Sequence, residues 1–498
     1  MALLMGLDVG TTAVKCIIVN DRLEVVASHE SEYPLSTPQR EWVEQDPEDW
    51  WNALRTSVRG VLGKLCDGAT GQIVAIGLSS QGGALAPLDD LGQPIRPAIS
   101  WLDHRSKPQA ERLTEEFGID FFYRRSGWSL RAGLPLTSLA WLRENEPENF
   151  RRAARFITTA DYIAYRLTGR YVIDKSSACI SILYNLLKRD WDEELLAIAG
   201  ISRSRLSDLT NPMQEIGPLS CKAAGELGLR AGLPVYAGGH DQFCVALGAG
   251  VINPGEVLLS TGTAWVLVCA VENLTFDHKN YLAIEEHVVP GLWGILSSIP
   301  AGGVSMRWLK NFIGEQDYEA IDRDAEAISP GSNGLFFFPH LAGAGVPHWE
   351  GSHFGTIMGL RLGHARGHVS RALMEGVGYE VRWALECFRA LGASPTVLKM
   401  LGGGTRSSVW PRIIADITGL QLEIPDVTDA GALGAAIAAG LGSGVLTSLQ
   451  CLTDPGRHVL RIEPVRPVSD TYSRLFGLYK AIFKELSKVY KELEGINS

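Results

Sequence analysis

The sequence carries neither of the common nucleotide-binding signatures. No GxxxxGK[ST] loop and no GxGxxG turn occurs in its 498 residues, which excludes the P-loop and dinucleotide-fold routes to phosphate. Cysteine is sparse: Cys16, Cys66, Cys179, Cys221, Cys244, Cys269, Cys387 and Cys451 are scattered and never form a CxxC pair. A zinc site or dithiol redox motif is thereby excluded, and free thiols in apolar runs suit a reducing cytoplasm. No stretch reaches the roughly 20 clearly apolar residues that a bilayer span requires. The longest weakly polar run, 430–446, is mostly Gly and Ala and predicts a close-packed internal helix, so no membrane partner is expected. The opening Met-Ala-Leu-Leu-Met-Gly lacks a basic segment, so no signal peptide is expected. Basic excess is also missing. The net charge of -10 argues against a nucleic-acid partner. It does not forbid an anionic ligand, because glycine turns and helix ends bind phosphate within acidic proteins.

What is present is an ordinary globular composition, 46% hydrophobic and 20% charged, in a chain too long for one core. Two domains are expected, 1–250 and 251–498, with the boundary at 250–254. Residues 3–9 and 14–19 are strand-length apolar runs joined by Gly10-Thr11-Thr12, and a third strand covers 24–28, which predicts a meander with a glycine-threonine hairpin at its first corner. Asp46-Pro47-Glu48-Asp49 opens a helix to about residue 65, with Asp as N-cap and Pro at the first helical position. A buried strand over 73–78 follows and ends in Ser79-Ser80-Gln81-Gly82-Gly83. Strands alternating with helices give an α/β class. The same hairpin device returns at Ser260-Thr261-Gly262-Thr263, between strands 256–259 and 264–269, and predicts a duplicated architecture with a cleft between the halves. The tail over 471–494 sets Tyr472, Leu475, Phe476, Tyr479, Ile482, Phe483, Leu486, Tyr490 and Leu493 on one helical stripe, which is expected to pack on a domain.

The stretch Tyr236-Ala237-Gly238-Gly239-His240-Asp241-Gln242 concentrates the chemistry. Asp241 is the only carboxylate between Glu226 and Glu256 and stands at a glycine-rich turn after a strand. Two readings are open: a base for a hydroxyl group, or the cap of a helix starting near Phe243. Gly10-Thr11-Thr12, Gly262-Thr263 and Gly402-Gly403-Gly404 each follow a strand-like run. Each is either an anion nest of backbone N–H groups or a tight turn. The last leads through Ser407 into a helix over 411–418. Asp8 precedes the first hairpin. It is either a turn former or, beside phosphate, the residue that calls for Mg²⁺ held through water.

Together these residues resemble the FGGY carbohydrate kinases, and within them the xylulokinase-like branch. The matching stretches are Gly6 to Thr12, Trp42 to Trp51, Pro97 to Arg105, Gly239-His240-Asp241-Gln242, Ser260-Thr261-Gly262-Thr263 and Ala430 to Gly434, in the family's order over nearly the whole chain. The resemblance implies two actin-like, ribonuclease-H-like domains closing over a cleft, and ATP-dependent phosphorylation of a sugar or polyol, most simply a ketopentose. It implies Asp241 as general base. The loops at Gly10, Thr11 and Thr12 and at Gly262 and Thr263 are implied to flank the ATP phosphates. Gly402, Gly403 and Gly404, and Ala430-Gly431, are implied to border the adenosine, with Ser407 beyond the glycines also serving ATP. A homodimer is implied by the resemblance alone.

The chain departs from the family at one loop. Xylulokinases usually carry Met-His after the glutamine that matches Gln81, and glycerol kinases Arg-Glu; here Gly82 and Gly83 stand instead. The departure leaves space for a bulkier substrate or for side chains from elsewhere, such as Trp128 or Arg131. Gln81, Trp101, Asp103 and Gln242 are the candidate sugar contacts: an aromatic face packs on C–H groups and polar side chains bind hydroxyls. Trp101 as a core residue and His240 as a structural histidine stay open. Two alternatives to a ketopentose kinase remain. One is a kinase for another ketose or polyol, such as ribulose, an L-sugar, erythritol or glycerol. The other is a non-catalytic actin-like protein that binds ATP or sugar.

Overall fold

The computed structural model describes residues 2–315, 317–345, 348, 353–453 and 459–497. The chain forms two compact units, each with its own core. The first comprises Met1–Ile252, Ala283–Gly294 and Val427–Asp454. The second comprises Asn253–Leu282, Ile295–Asp426 and Pro455–Ser498. Neither unit is a continuous half of the chain, because two segments of the expected C-terminal domain pack in the first unit.

In the first unit, β1 (Leu3–Val9), β2 (Ala13–Asn20) and β3 (Val25–Glu32) form the expected meander, antiparallel at both corners. Helix α1 (Pro47–Leu62) starts on Asp46, whose side chain accepts from the Glu48 N–H. Strand β4 (Ile73–Ser80) lies parallel to β1, and β6 (Pro234–His240) parallel to β4, while β5 (Glu215–Pro218) closes the edge antiparallel. The sheet order is β5-β6-β4-β1-β2-β3. Three adjacent parallel strands, β1, β4 and β6, therefore deliver their carboxyl ends to one edge of the sheet, where ligands of α/β sheets sit. Helix α2 (Asp241–Gly248) leaves β6 directly.

The second unit repeats this plan. Strands β7 (Glu256–Thr261) and β8 (Trp265–Val271) form the second glycine-threonine hairpin. Strand β9 (Ala283–Glu286) belongs to the first unit, and β10 (Trp293–Ile299) leads into α3 (Gly302–Phe312) and α4 (Tyr318–Glu326). After α5 (Arg366–Ala390), β11 (Val397–Gly402) lies parallel to β7. Helix α6 (Trp410–Thr418) then leads to β12 (Gln421–Pro425), parallel to β11. The order within this unit is β10-β8-β7-β11-β12, with β13 (Val459–Ile462) antiparallel at the edge.

Helix α7 (Ala430–Gly442) is the predicted internal helix, buried along most of its length. Small residues on both sides let backbones touch. A Cβ at Gly6 would lie 1.9 Å from the Ala432 carbonyl oxygen, one at Gly77 1.8 Å from that of Ala435, and one at Gly434 1.9 Å from that of Cys244 in α2. Helix α8 (Arg466–Asn497) buries Tyr472, Phe476, Tyr479, Phe483 and Tyr490 on the predicted stripe. Leu493, assigned to that stripe, is instead 41% exposed.

Candidate active site

Register places the polar residues of the first unit side by side. Asp8 of β1 pairs across from Ser79 of β4, and the Ser79 hydroxyl donates to Asp8 Oδ1 at 2.8 Å. Asp8 therefore sits within a strand and is no turn former. Burial, then the charge of Asp241, pushes its carboxyl up to about 6; the Ser79 hydrogen bond and Lys15 oppose this, and Lys15 also pairs with Asp429 at 3.4 Å. Gly431 on α7 lacks a side chain where Asp8 needs room: a Cβ there would stand 2.4 Å from Asp8 Oδ2. The small residues of α7 thus accommodate backbone and the Asp8 carboxylate.

The first hairpin is held from three sides. Tyr33 donates its hydroxyl to the Gly10 carbonyl, Gln45 Nε2 to the Thr11 carbonyl at 2.7 Å, and Trp101 Nε1 to Thr11 Oγ1 at 3.2 Å. Trp101 is 38% exposed, so it is no core residue and presents a ring next to the hairpin. Gln81, at the end of β4, is buried; its Nε2 donates to Gln45 Oε1 at 3.0 Å and Thr159 Oγ1 at 3.3 Å, and its Oε1 is without a partner among the described residues. Gln242 Oε1 is likewise unpartnered. Asp103 behaves differently from expectation. It is fully buried, accepts from the Val43 N–H at 2.6 Å and is clamped by Arg105 through both oxygens. Its carboxylate is spent on the fold and has none left for a sugar.

Asp241 is the first residue of α2, with His240 in the capping position, so the aspartate is not the cap. Its side chain is 21% exposed, beside the 6%-exposed ring of His240, whose Nε2 lies 3.3 Å from Asp241 Oδ1. Gly82 and Gly83 do not leave the open space their lack of side chains suggests. A Cβ at Gly82 would meet Ile180 Cγ2 at 2.8 Å and His240 Nε2 at 3.1 Å; one at Gly83 would meet Trp101 Cβ at 2.9 Å. The volume is filled from elsewhere, by Ile180, His240 and Trp101. Sequence reasoning passed over Glu285, which bonds His240. Its signal was two consecutive glutamates inside the apolar strand Ala283–Glu286.

In the second unit the glycine loops meet. Thr261 Oγ1, at the end of β7, accepts from the Gly404 N–H at 2.9 Å and donates to the Leu401 carbonyl at 2.5 Å. This stitches the hairpin carrying Gly262 and Thr263 to the loop of Gly402, Gly403 and Gly404. Gly402 has φ +96°, and a Cβ there would lie 2.9 Å from the Thr261 carbonyl oxygen. Gly262 and Thr263 are exposed. Ser407 is spent on the loop: it donates to Asp322 Oδ1 at 2.8 Å and accepts from the Trp410 N–H at 2.9 Å. It shapes the turn into α6 and is not free for a nucleotide.

A divalent cation fits the first unit on the chemistry of its donors. Among the described residues no three His, Cys, Asp or Glu side chains form a metal cage. A half-buried carboxylate with a raised pKa beside a second acid suits Mg²⁺, which keeps its waters and binds through one or two carboxylates plus phosphate.

Comparison with known proteins settles the family. The model of the N-terminal domain of the FGGY family of carbohydrate kinases matches residues 3–248, and that of the C-terminal domain residues 257–443. The chain belongs to the FGGY family of carbohydrate kinases. It is 32% identical to a xylulose kinase of Bacillus subtilis (strain 168), over 99% of this chain and 99% of that protein. It is 28% identical to a gluconokinase of the same organism, over 98% and 97% respectively. The crystal structure of a xylulose kinase from Rhodospirillum rubrum superposes with a TM-score of 0.91 at 29% identity, covering 98% of this chain and 99% of that one. The fold is thus the α/β two-domain FGGY fold, and the protein is a sugar kinase, a phosphotransferase acting on a sugar hydroxyl. The non-catalytic alternative is thereby set aside. FGGY kinases use ATP. No helix among the described residues is long and apolar enough to cross a membrane.

Proposed function

We propose that this FGGY kinase transfers the γ-phosphoryl group of ATP to a ketopentose such as D-xylulose, giving the 5-phosphate, with Asp241 as general base. One observation carries the reading: Asp241 opens α2 at the carboxyl end of β6 as a part-exposed carboxylate that caps nothing. The full-length likeness to a xylulose kinase supports the acceptor class. As the hydroxyl oxygen bonds to the γ-phosphorus in line, its proton passes to Asp241, and the bond to the β–γ bridging oxygen breaks, releasing ADP. Trp101 offers its ring to the sugar's C–H face. The unpartnered Oε1 atoms of Gln81 and Gln242 take sugar hydroxyls, because a buried acceptor is costly unless bonded. Gly10, Thr11 and Thr12 in the first unit, and Gly262 and Thr263 in the second, offer backbone N–H groups to phosphate. Gly402, Gly403 and Gly404 border the nucleotide. Mg²⁺, when bound, offsets phosphate charge, and Asp8 holds it through water.

A second acceptor class is favoured by Arg131. The residue as a whole is exposed, its guanidinium stands 4.9 Å over the Trp128 ring, and it has no ion-pair partner among the described residues. It is nevertheless crowded: burial pulls its pKa down to about 10, with Glu285 opposing. A free arginine suits a carboxylate, and a gluconokinase is among the relatives, so an aldonic acid is the second reading.

The test is ADP release with Mg-ATP over ketopentoses, aldonates, aldoses and polyols, with Asp241→Ala as the blank. The expected result is the highest kcat/KM with D-xylulose and a loss of at least about 10²-fold in the variant, ATP affinity being kept. A stronger response to D-gluconate moves the acceptor to the second class, and to ribulose or glycerol to another ketose or polyol. Turnover that survives Asp241→Ala overturns the base.

A further inference from the structure

Asp241 is the exposed end of a buried polar chain. The His240 ring Nδ1 lies 2.9 Å from Glu285 Oε2, and the Glu285 side chain is wholly buried. Glu285 Oε1 accepts from Trp128 Nε1 at 2.9 Å. The backbone N–H of His240 donates to Ser176 Oγ at 3.0 Å, and the Ser176 hydroxyl donates to Asp174 Oδ1 at 2.6 Å. In front, the ring Nε2 faces Asp241 Oδ1 at 3.3 Å. Gly82 is small where the imidazole stands, its absent Cβ being 3.1 Å from Nε2. Both Glu285 oxygens and the Nδ1 of His240 are thereby engaged, and Asp241 is the part-exposed member of the chain.

We propose that His240 is a positioning residue for phosphoryl transfer: anchored by Glu285 and Trp128, it donates from Nε2 to Asp241, fixing the carboxylate rotamer and setting a positive charge beside the Asp8–Asp241 pair. The proposal rests on the reading of Asp241 as base. His240 stands between two carboxylates, Asp241 and Glu285, and a doubly protonated imidazole there offsets their repulsion. Burial alone lowers the pKa of His240, but Glu285, Asp241 and Asp174 outweigh it and raise it to about 9. The groups facing the ring are Glu285 from β9, Asp174 ahead of Ser176, Asp241 itself, and the uncharged Phe243 ring at 6.0 Å. Glu285 also acts electrostatically on Arg131, without an ion pair between them.

Two measurements test this. The first is the ring titration of His240 by NMR in the acceptor-free protein. A midpoint near 9 that drops in Glu285→Gln is expected; a midpoint at the ordinary value near 6.5 that ignores Glu285 overturns the proposal. The second is the pH profile of kcat with D-xylulose and with D-gluconate. The wild type is expected to lose kcat above about pH 9. His240→Gln is expected to lose about 10²-fold in kcat, with KM for ATP little changed and no alkaline limb. Trp128→Phe keeps an aromatic side chain while removing the N–H donor to Glu285 and part of the indole; it is expected to lower kcat less than His240→Gln, and it serves if His240→Gln does not fold. If Asp241→Ala is dead while His240→Gln keeps wild-type kcat, the positioning role alone falls. If Asp241→Ala is active, the base reading falls first.

Discussion

Single residues divide into those that chemistry can use and those the fold has already used. Asp103 and Ser407 were reasonable expectations by residue type, yet hydrogen bonds to Arg105, Val43, Asp322 and Trp410 consume them. Asp8 is the reverse case, a carboxylate kept uncomfortable. Its pKa is pushed up to about 6 by burial and then by Asp241, so the folded chain holds that proton more tightly than the unfolded one. The stability it contributes is present at low pH and is lost as pH rises through the interval from about 4 to 6, at most about 3 kcal/mol by linkage. In metal-free buffer at pH 7.5, Asp8→Asn is therefore expected to raise the thermal midpoint, with the gain vanishing below pH 4, while kcat with Mg-ATP falls. An unchanged or lower midpoint at pH 7.5 contradicts the assignment. Asp241 and Asp8 were both visible in the sequence as isolated acids beside glycine turns. Glu285 was not, because nothing local says that a strand 45 positions after His240 returns to it.

Helices and strands followed the sequence closely where periodicity and caps agreed. The meander, the Asp46-capped helix and the aromatic stripe of α8 all form because local pattern and tertiary burial demand the same thing. Helix α7 needed its neighbours. A run of Gly and Ala has no amphipathic pattern to orient it, and its orientation follows from which backbones can come close. Gly77→Ala and Gly434→Ala, whose Cβ atoms would fall within 2 Å of backbone oxygens on α7 and α2, are expected to lower the thermal midpoint strongly, by an overpacking cost of at least about 1–3 kcal/mol each. Gly363→Ala, with nothing within 4 Å, is the control and is expected to melt like the wild type. Equal midpoints for all three would mean that α7 does not pack as described.

At the scale of the molecule, each unit carries a hairpin followed by parallel strands, and the second is closed by the C-terminal helix. Tyr479 of α8 is fully buried and donates to Glu380 at 2.6 Å, beside the His340 Nε2 at 3.2 Å from the same oxygen. Tyr479→Ala is expected to cost about 3–5 kcal/mol, the range for a buried aromatic, read as a lowered urea midpoint; Tyr479→Phe, which removes only the hydroxyl, is expected to cost less. A loss for Phe equal to that for Ala would put the effect on the hydrogen bond and not on packing. The sequence by itself determined the α/β class, the two glycine-threonine hairpins, the family and the acids of the proposed site, because these depend on short-range pattern and on residue types that only certain chemistries require. Tertiary structure alone decided that two late segments pack in the first unit, that Asp103 and Ser407 are spent, that Ile180, His240 and Trp101 fill the space at Gly82 and Gly83, and that Glu285 stands behind His240. Each of these is a contact between residues far apart in the chain, set by which surfaces can approach, and no local pattern records it.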